Sequence, residues 1–196
     1  MTGGTRPAPA AAGGRTAPPG ADTAHVARIA GIAELPRLLQ LVHAAYRGTA
    51  SRAGWTTEAD LLEGGRIDAG MLRELLVSLH DVVLRTGPHG TPGACCAVGR
   101  REDRVAFGMF AVAPSEQGRG TGRELLSAAE RYAVQRWDAT ALHLSVIRQR
   151  TELIAWYERR GYVRTGETEP FPYGDERYGR PLRDDLELVV LRRALA

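Results

Sequence analysis

The chain has 196 residues, the length of one ordinary α/β domain with or without a tail and too short for two full domains. Its 26 basic residues are all arginine and face 23 acidic ones, a net charge of +3; lysine and asparagine are absent. That excludes chemistry needing a lysine of the chain's own, such as a phosphate-loop Lys, a Schiff base or a kinase-type Lys. Lys and Asn share A-rich codons, so a G+C-rich coding sequence accounts for the bias. A hydrophobic fraction of 43% supports a real core. No run approaches the ~18–20 apolar residues that span a bilayer. Arginine is spread along the chain among Asp and Glu rather than gathered on one face, so neither a nucleic acid nor a membrane is expected as partner. Cys95 and Cys96 are adjacent, with neither disulfide nor metal spacing, which points to a reducing, cytoplasmic compartment and no metal.

Residues 1–23 are mostly Ala, Gly, Pro and Thr, cannot bury enough surface to offset their ordering entropy, and read as a disordered tail before a domain over 24–196. His25–Ile29 alternates as a first strand, and Leu35, Leu38, Leu39, Val42, Ala45 and Tyr46 mark a helix that ends at Gly48. Thr57–Asp60 has the form of a capping box opening a short helix, and 68–79 carries Leu72, Leu75, Leu76 and Leu79 on one helical face. The period then changes to two. Strands are expected at Asp81–Arg85, Ala94–Arg100 and Val105–Ala113, the last apolar on both faces and hence central. A turn is expected at 87–90. A helix over 121–137, a strand Ala141–Val146, a helix over 150–159 closed by Gly161, and strands Tyr162–Glu167 and Leu186–Leu191 follow. The order predicts a mixed sheet, antiparallel early, with a parallel crossover through the helix at 121–137.

The loop Gln117-Gly118-Arg119-Gly120-Thr121-Gly122-Arg123 joins the central strand to that helix. Its glycines let the backbone approach a ligand and aim N–H groups one way, the helix start adds positive potential, and Arg119 and Arg123 add charge-assisted bonds. This is a polyphosphate cradle. Without lysine it is not a G-x-x-x-x-G-K-[ST] loop, and Arg123 stands where a dinucleotide fingerprint needs its third Gly.

Gln117, Gly120 and Gly122 match the pattern Q/R-x-x-G-x-G/A, and Trp156-Tyr157-Glu158-Arg159-Arg160-Gly161-Tyr162 matches Y-x-x-x-G-[FY]. Together, with a strand before the loop and a helix after it, they resemble the GNAT superfamily of N-acetyltransferases over roughly 25–192. AYRG (45–48), GWTTEADLL (54–62) and 157–179 are similar to an uncharacterised subgroup of it. The resemblance implies an α/β fold with a central mixed sheet of about 6–7 strands flanked by helices, and a V-shaped splay between strands 105–113 and 141–146. It implies acetyl-CoA as cosubstrate, bound through residues 117–123, with the pantetheine arm along Ala111 and Val112. Counting from Val146, Arg150 falls where the family often has Asn; by the resemblance it would bond a coenzyme phosphate or the pantetheine amide.

The implied reaction is direct attack of a primary amine on the acetyl thioester in a ternary complex, with Tyr157 as general acid for the leaving thiolate. No acidic residue lies on the central strand. Glu58 and His143 are the candidate bases, although Glu58 and Asp60 equally suit helix capping and His143 a hydrogen-bonded strand position. Tyr46 and Trp55 would line the acceptor site, or pack their loop on the sheet. Phe171-Pro172-Tyr173 is placed to close the cleft, and the pair Arg159-Arg160 reads as solvated surface. The acceptor is a small-molecule or protein amine, and the chain a monomer or homodimer. Two other readings stay open: a non-catalytic coenzyme A-binding module, and a nucleotide binder with an atypical dinucleotide loop.

Overall fold

The computed structural model describes residues 27–46, 51, 52, 54–87 and 91–196. The expected tail, the first residues of the opening strand, Gly48 and the tip of the turn at 88–90 lie outside these residues. In chain order the elements are β1 (Arg28–Ile29), α1 (Leu35–Tyr46), β2 (Leu62–Glu63), α2 (Ala69–Val77), β3 (Asp81–Thr86), β4 (Ala94–Arg100), β5 (Val105–Val112), α3 (Thr121–Trp137), β6 (Ala141–Ile147), α4 (Thr151–Glu158), β7 (Val163–Pro170), β8 (Arg180–Pro181) and β9 (Glu187–Ala194). Seven strands form the expected mixed sheet, in the order β1-β3-β4-β5-β6-β9-β7, and β2 pairs with β8 in a separate ribbon. That ribbon has no sequence signal, because each of its strands is two residues long.

Helices cover both faces of the sheet. Leu38 and Val42 of α1 and Leu72 of α2 pack on Val83, Cys95 and Ala97. On the other face Leu125, Leu126, Ala129 and Ala133 of α3 and Ile154 of α4 pack on Leu84, Cys96 and Val98. Each fully buried Leu or Ile contributes about 1.5–3 kcal/mol relative to exposure. The adjacent cysteines thus serve opposite faces, as the two-residue period requires. Phe171 does not reach the cleft described below; it packs with Leu62, Ile147 and Leu186 in a satellite cluster.

Thr57–Asp60 does not open a helix. Thr57 Oγ1 accepts the Ala59 N–H at 3.0 Å, and the Leu61 and Leu62 N–H groups both reach the Glu58 carbonyl, after which the chain extends into β2. One turn forms and is not propagated, because Leu62 is drawn into the ribbon and buried.

Two irregularities of β5 shape the site. First, Cys95 pairs with Ala111 and Ala97 with Gly108, so Met109 and Phe110 together oppose Cys96. Met109 takes φ +47°, outside the strand region. The bulge reverses side-chain parity. Val105 and Phe107 face α3, but Met109 and Ala111 face α1, and Phe110 and Val112 turn to the α3 side. Second, β5 pairs with parallel β6 only at Val105↔Leu142 and Ala106↔His143. Beyond that β6 follows β9 as far as Ile147, and the two strands part. The splay is where the family resemblance placed it.

Candidate active site

The loop after β5 is anchored by Gln117. Its Nε2 donates to the Val112 carbonyl at 3.2 Å, and its Oε1 accepts the Trp55 N–H at 2.5 Å. One side chain therefore joins the end of β5 to the segment between α1 and β2. Gly118 (φ +76°) and Gly120 (φ +91°) hold left-handed backbone that L side chains rarely adopt. Gly122 is needed for space: a Cβ there would lie 3.2 Å from Phe110 Cζ and 3.4 Å from Val112 Cγ2. Gly120 caps α3 without a side chain, so the first N–H groups of the helix receive no side-chain cap from it. Arg119 is exposed, 3.9 Å from Glu116. Thr121 is buried, and its hydroxyl has no hydrogen-bond partner among the described residues.

This loop is one end of a cleft of about 650 Å³ set in the splay. Val112, Gln117, Gly118, Arg119, Gly120, Gly122 and Arg123 line it, together with Tyr46, Trp55, Arg150 and Tyr157. The structure thus gathers most of the residues singled out in the sequence around one cavity. Ala111 is the exception on β5: its side chain is buried on the α1 face, and only its backbone belongs to the strand edge.

Tyr157 sits on the inner face of α4, 3% exposed. Its ring meets Trp156 at 5.1 Å and Phe110 at 6.4 Å between centroids. Its hydroxyl has no hydrogen-bond partner among the described residues. Burial pushes its pKa well above the ordinary tyrosine value, so the phenol keeps its proton at neutral pH. Tyr46 is different. Its hydroxyl donates to the Phe110 carbonyl at 2.9 Å, at the bulge. Trp55 stays 48% exposed, its ring 6.5 Å from that of Trp156.

Arg150 lines the cleft, but its guanidinium is engaged. Nη1 donates to Glu58 Oε1 at 2.7 Å and Nη2 to Thr56 Oγ1 at 3.1 Å. Only Nε is left, buried and without a hydrogen-bond partner. The coenzyme contact expected of Arg150 is therefore replaced by an internal ion pair. Glu58 is neither a helix cap nor a lining residue: it is 4% exposed, with Arg66 Nε 3.9 Å from its other oxygen. His143 stands at the closed end of the V, opposite Ala106, and does not line the cleft. Desolvation, then Arg104 and Arg192, push its pKa down. Neither candidate base meets the cavity.

Phe110, Thr56, Leu153, Trp156, Arg159 and Arg160 also line the cleft and were not identified from sequence. Arg159 and Arg160 are not simply solvated surface. Arg160 lies over the Trp156 ring, 3.5 Å from its centroid. A signal for Phe110 was available: Gly108 interrupts an otherwise apolar strand, a mark of a bulge.

Residues 82–162, from β3 to the residue after Gly161, match the model of the acetyltransferase (GNAT) family. Over that segment the chain is similar to a GNAT acetyltransferase domain. The GNAT fold extends beyond that segment. The ribosomal-protein-S18-alanine N-acetyltransferase of Escherichia coli is similar over 87% of this chain and 94% of its own, with a TM-score of 0.63 at 16% identity. The ribosomal-protein-alanine N-acetyltransferase of Brucella melitensis covers 87% of this chain and 99% of its own, with a TM-score of 0.63 at 20% identity. A Bacillus anthracis protein solved in complex with acetyl coenzyme A covers 63% of this chain and 67% of its own, with a TM-score of 0.51 at 14% identity. These likenesses are of fold. No curated protein matches the chain by sequence. Among the described residues no helix is long and apolar enough to cross a membrane.

Proposed function

We propose that this GNAT domain transfers an acetyl group from acetyl-CoA to a primary amine by direct attack in a ternary complex. The observation that carries the reading is a coincidence in one cleft: the Gly118–Gly122 cradle, the unpaired edge of β5 and the Tyr157 hydroxyl. The cradle suits a pyrophosphate, since two of its glycines adopt left-handed backbone of the kind that forms anion-binding turns and the third leaves room beside Phe110. The edge of β5 past Ala106 offers backbone groups to the pantetheine arm.

In this reading the amine nitrogen bonds to the thioester carbonyl carbon and the carbon–sulfur bond breaks. Tyr157 gives its proton to the departing sulfur and recovers one from solvent. The amine's own proton goes to water, because no carboxylate or imidazole is among the described residues lining the cleft. The acceptor then reacts as the neutral amine. It is a small molecule or a protein amine, and Tyr46 and Trp55 stand where it would enter. We read the domain as 24–196, with 1–23 outside it, acting in the cytoplasm as a monomer or homodimer. Buried, unpaired Cys95 and Cys96 suit a reducing compartment.

The test is thermal unfolding with ligands, followed by thiol release across an amine panel. Acetyl-CoA should raise the melting temperature while NAD(P) and ATP do not, and some amines should release thiol. A shift with NAD(P) alone overturns the reading. Coenzyme binding without turnover of any amine favours a binding module instead.

A further inference from the structure

Tyr46, which lines the cleft, has two guanidiniums near its ring: Arg66 at 5.4 Å and Arg150 at 5.8 Å from the centroid. Arg150 is engaged, with both Nη atoms donating to Glu58 and Thr56. Arg66, from the segment between β2 and α2, is not. Its Nε lies 3.9 Å from Glu58 Oε2, within ion-pair range but too far for a hydrogen bond. Among the described residues its guanidinium makes no hydrogen bond, and its side chain is 29% exposed. Aromatic rings hold it instead: Tyr46, and Tyr178 at 5.9 Å. Such contacts leave the N–H donors unused. The backbone beside Arg66 is pinned as well, since His43 of α1 meets the Ile67 carbonyl at 2.9 Å. The β2–β8 ribbon pairs Leu62 with Pro181, and Tyr178 packs in the cluster of Leu62. Arg66, Arg150 and Glu58 together leave one positive charge on this side of the cleft. Burial raises the Tyr46 pKa and Arg66, the next cause, lowers it, so the cation is felt at the hydroxyl that reaches Phe110.

We propose that Arg66, between Tyr46 and Tyr178, binds the carboxylate of the acceptor, which makes the acceptor a small amino carboxylate rather than a simple amine. The subsite rests on the acetyl-transfer reading above. A carboxylate matches the planar guanidinium fork with two parallel hydrogen bonds. Its single charge balances the single surplus charge, which a phosphate dianion would exceed. An amine without an anion leaves that charge uncompensated, and a diamine adds a repelled ammonium, so both are selected against. With the carboxylate at Arg66, the amine end extends past Tyr46 into the cleft. The β2–β8 ribbon, outside the main sheet, then serves to carry Tyr178 to Arg66.

The experiment is steady-state thiol release from acetyl-CoA with matched acceptors, for wild type, Arg66→Gln and Arg66→Lys. The acceptors are α- and ω-amino acids, their carboxamides, diamines, aminoalkyl phosphonates and short peptides. Wild type should favour the best amino acid over its carboxamide at least about tenfold in kcat/KM, the scale of one charge-assisted hydrogen bond. Ionisation works against this preference, since the less basic carboxamide holds more neutral amine. In Arg66→Gln the KM for the amino acid should rise and the ratio fall toward one. Arg66→Lys keeps the charge without the fork, and its ratio should fall between. Melting scans and titration with acetyl-CoA separate loss of the subsite from loss of the fold or of the coenzyme site. A wild-type ratio near one, a preference for phosphonates, diamines or peptides, or a ratio undiminished in every folded variant overturns the subsite. If no amine of any class releases thiol, the transfer reading itself fails; carboxamides turned over as well as amino acids remove only the subsite.

Discussion

Arg150, the residue that precedes α4, donates from Nη1 to Oε1 of Glu58 at 2.7 Å, across 92 residues of sequence. With the Trp55–Gln117 bond, this pair ties the 55–58 segment to both walls of the splay: to the loop after β5 and to the start of the helix after β6. The side chains are 10% and 5% exposed, so removing one charge strands the other. Glu58→Gln should cost about 3 kcal/mol. Glu58→Gln/Arg150→Met should cost less than the sum of the single changes. Urea denaturation of the four proteins measures both; additive losses would show that the pair is not coupled.

Gly120 sits at φ +91°, where any side chain is strained, and a carboxylate there would face the incoming pyrophosphate. Gly120→Asp should lower stability by about 1–3 kcal/mol and abolish acetyl-CoA binding. Gly120→Ala separates the effects, since strain remains and the charge does not. Calorimetric titration of both variants is the check, and unchanged affinity in Gly120→Asp would refute the cradle.

The two buried tyrosines of the cleft should respond differently to loss of a hydroxyl. Among the described residues Tyr157 has no hydrogen-bond partner to lose, so Tyr157→Phe should leave stability and coenzyme affinity nearly intact and lower kcat by about 10²-fold or more. Tyr46→Phe removes the bond to the Phe110 carbonyl and should cost about 1 kcal/mol of stability. Steady-state kinetics beside thermal melts of both variants test the division. An unchanged kcat in Tyr157→Phe would exclude it as the acid.

Alkaline pH should destabilise the fold. Burial raises the pKa of Tyr46, Tyr157 and Tyr162 above the ordinary 10.0, and that of Cys95 from 9.0 to about 12, with Cys96 also raised. Between the ordinary and raised values the native chain keeps protons that the unfolded chain has released. Stability is therefore full below about pH 9 and falls as pH rises beyond it. Melting temperatures from pH 8 to 11 should be flat at first and then decline. Over the flat range kcat/KM should rise with deprotonation of the acceptor's ammonium group to the neutral amine and show no falling limb from Tyr157.

The thiols give an independent reading of the same core. Cys95 and Cys96 are both fully buried, one on each face of the sheet. Neither should react with a thiol reagent such as dithionitrobenzoate on the native chain, and both should react in denaturant. Rapid native labelling would mean that β4 opens.

Much of the site was legible because its signals are local. The glycines at 118, 120 and 122 answer to backbone conformation and close approach, and Tyr157 to the spacing of a helix face. Phe110 escaped because a bulge breaks the alternation on which strand reading depends, although Gly108 hinted at it. Arg159 and Arg160 escaped because an arginine pair reads the same on open surface and at the rim of a cleft.

From sequence alone follow the mixed sheet, its seven strands in chain order with the main helices between them, and the glycine-rich loop after β5, since period and turn chemistry act within a few residues of one another. Only the tertiary structure decided the fate of Arg150. Its codon-level oddity, an arginine in a chain without asparagine, became half of a buried ion pair once β6 carried it against Glu58. Partners so distant in sequence are set by how the strands diverge, and no local pattern records that divergence. The all-arginine composition, which first served to exclude lysine chemistry, thus ends in one cleft as a guanidinium at 150 paired with Glu58 and others at 119, 123, 159 and 160 along the lining.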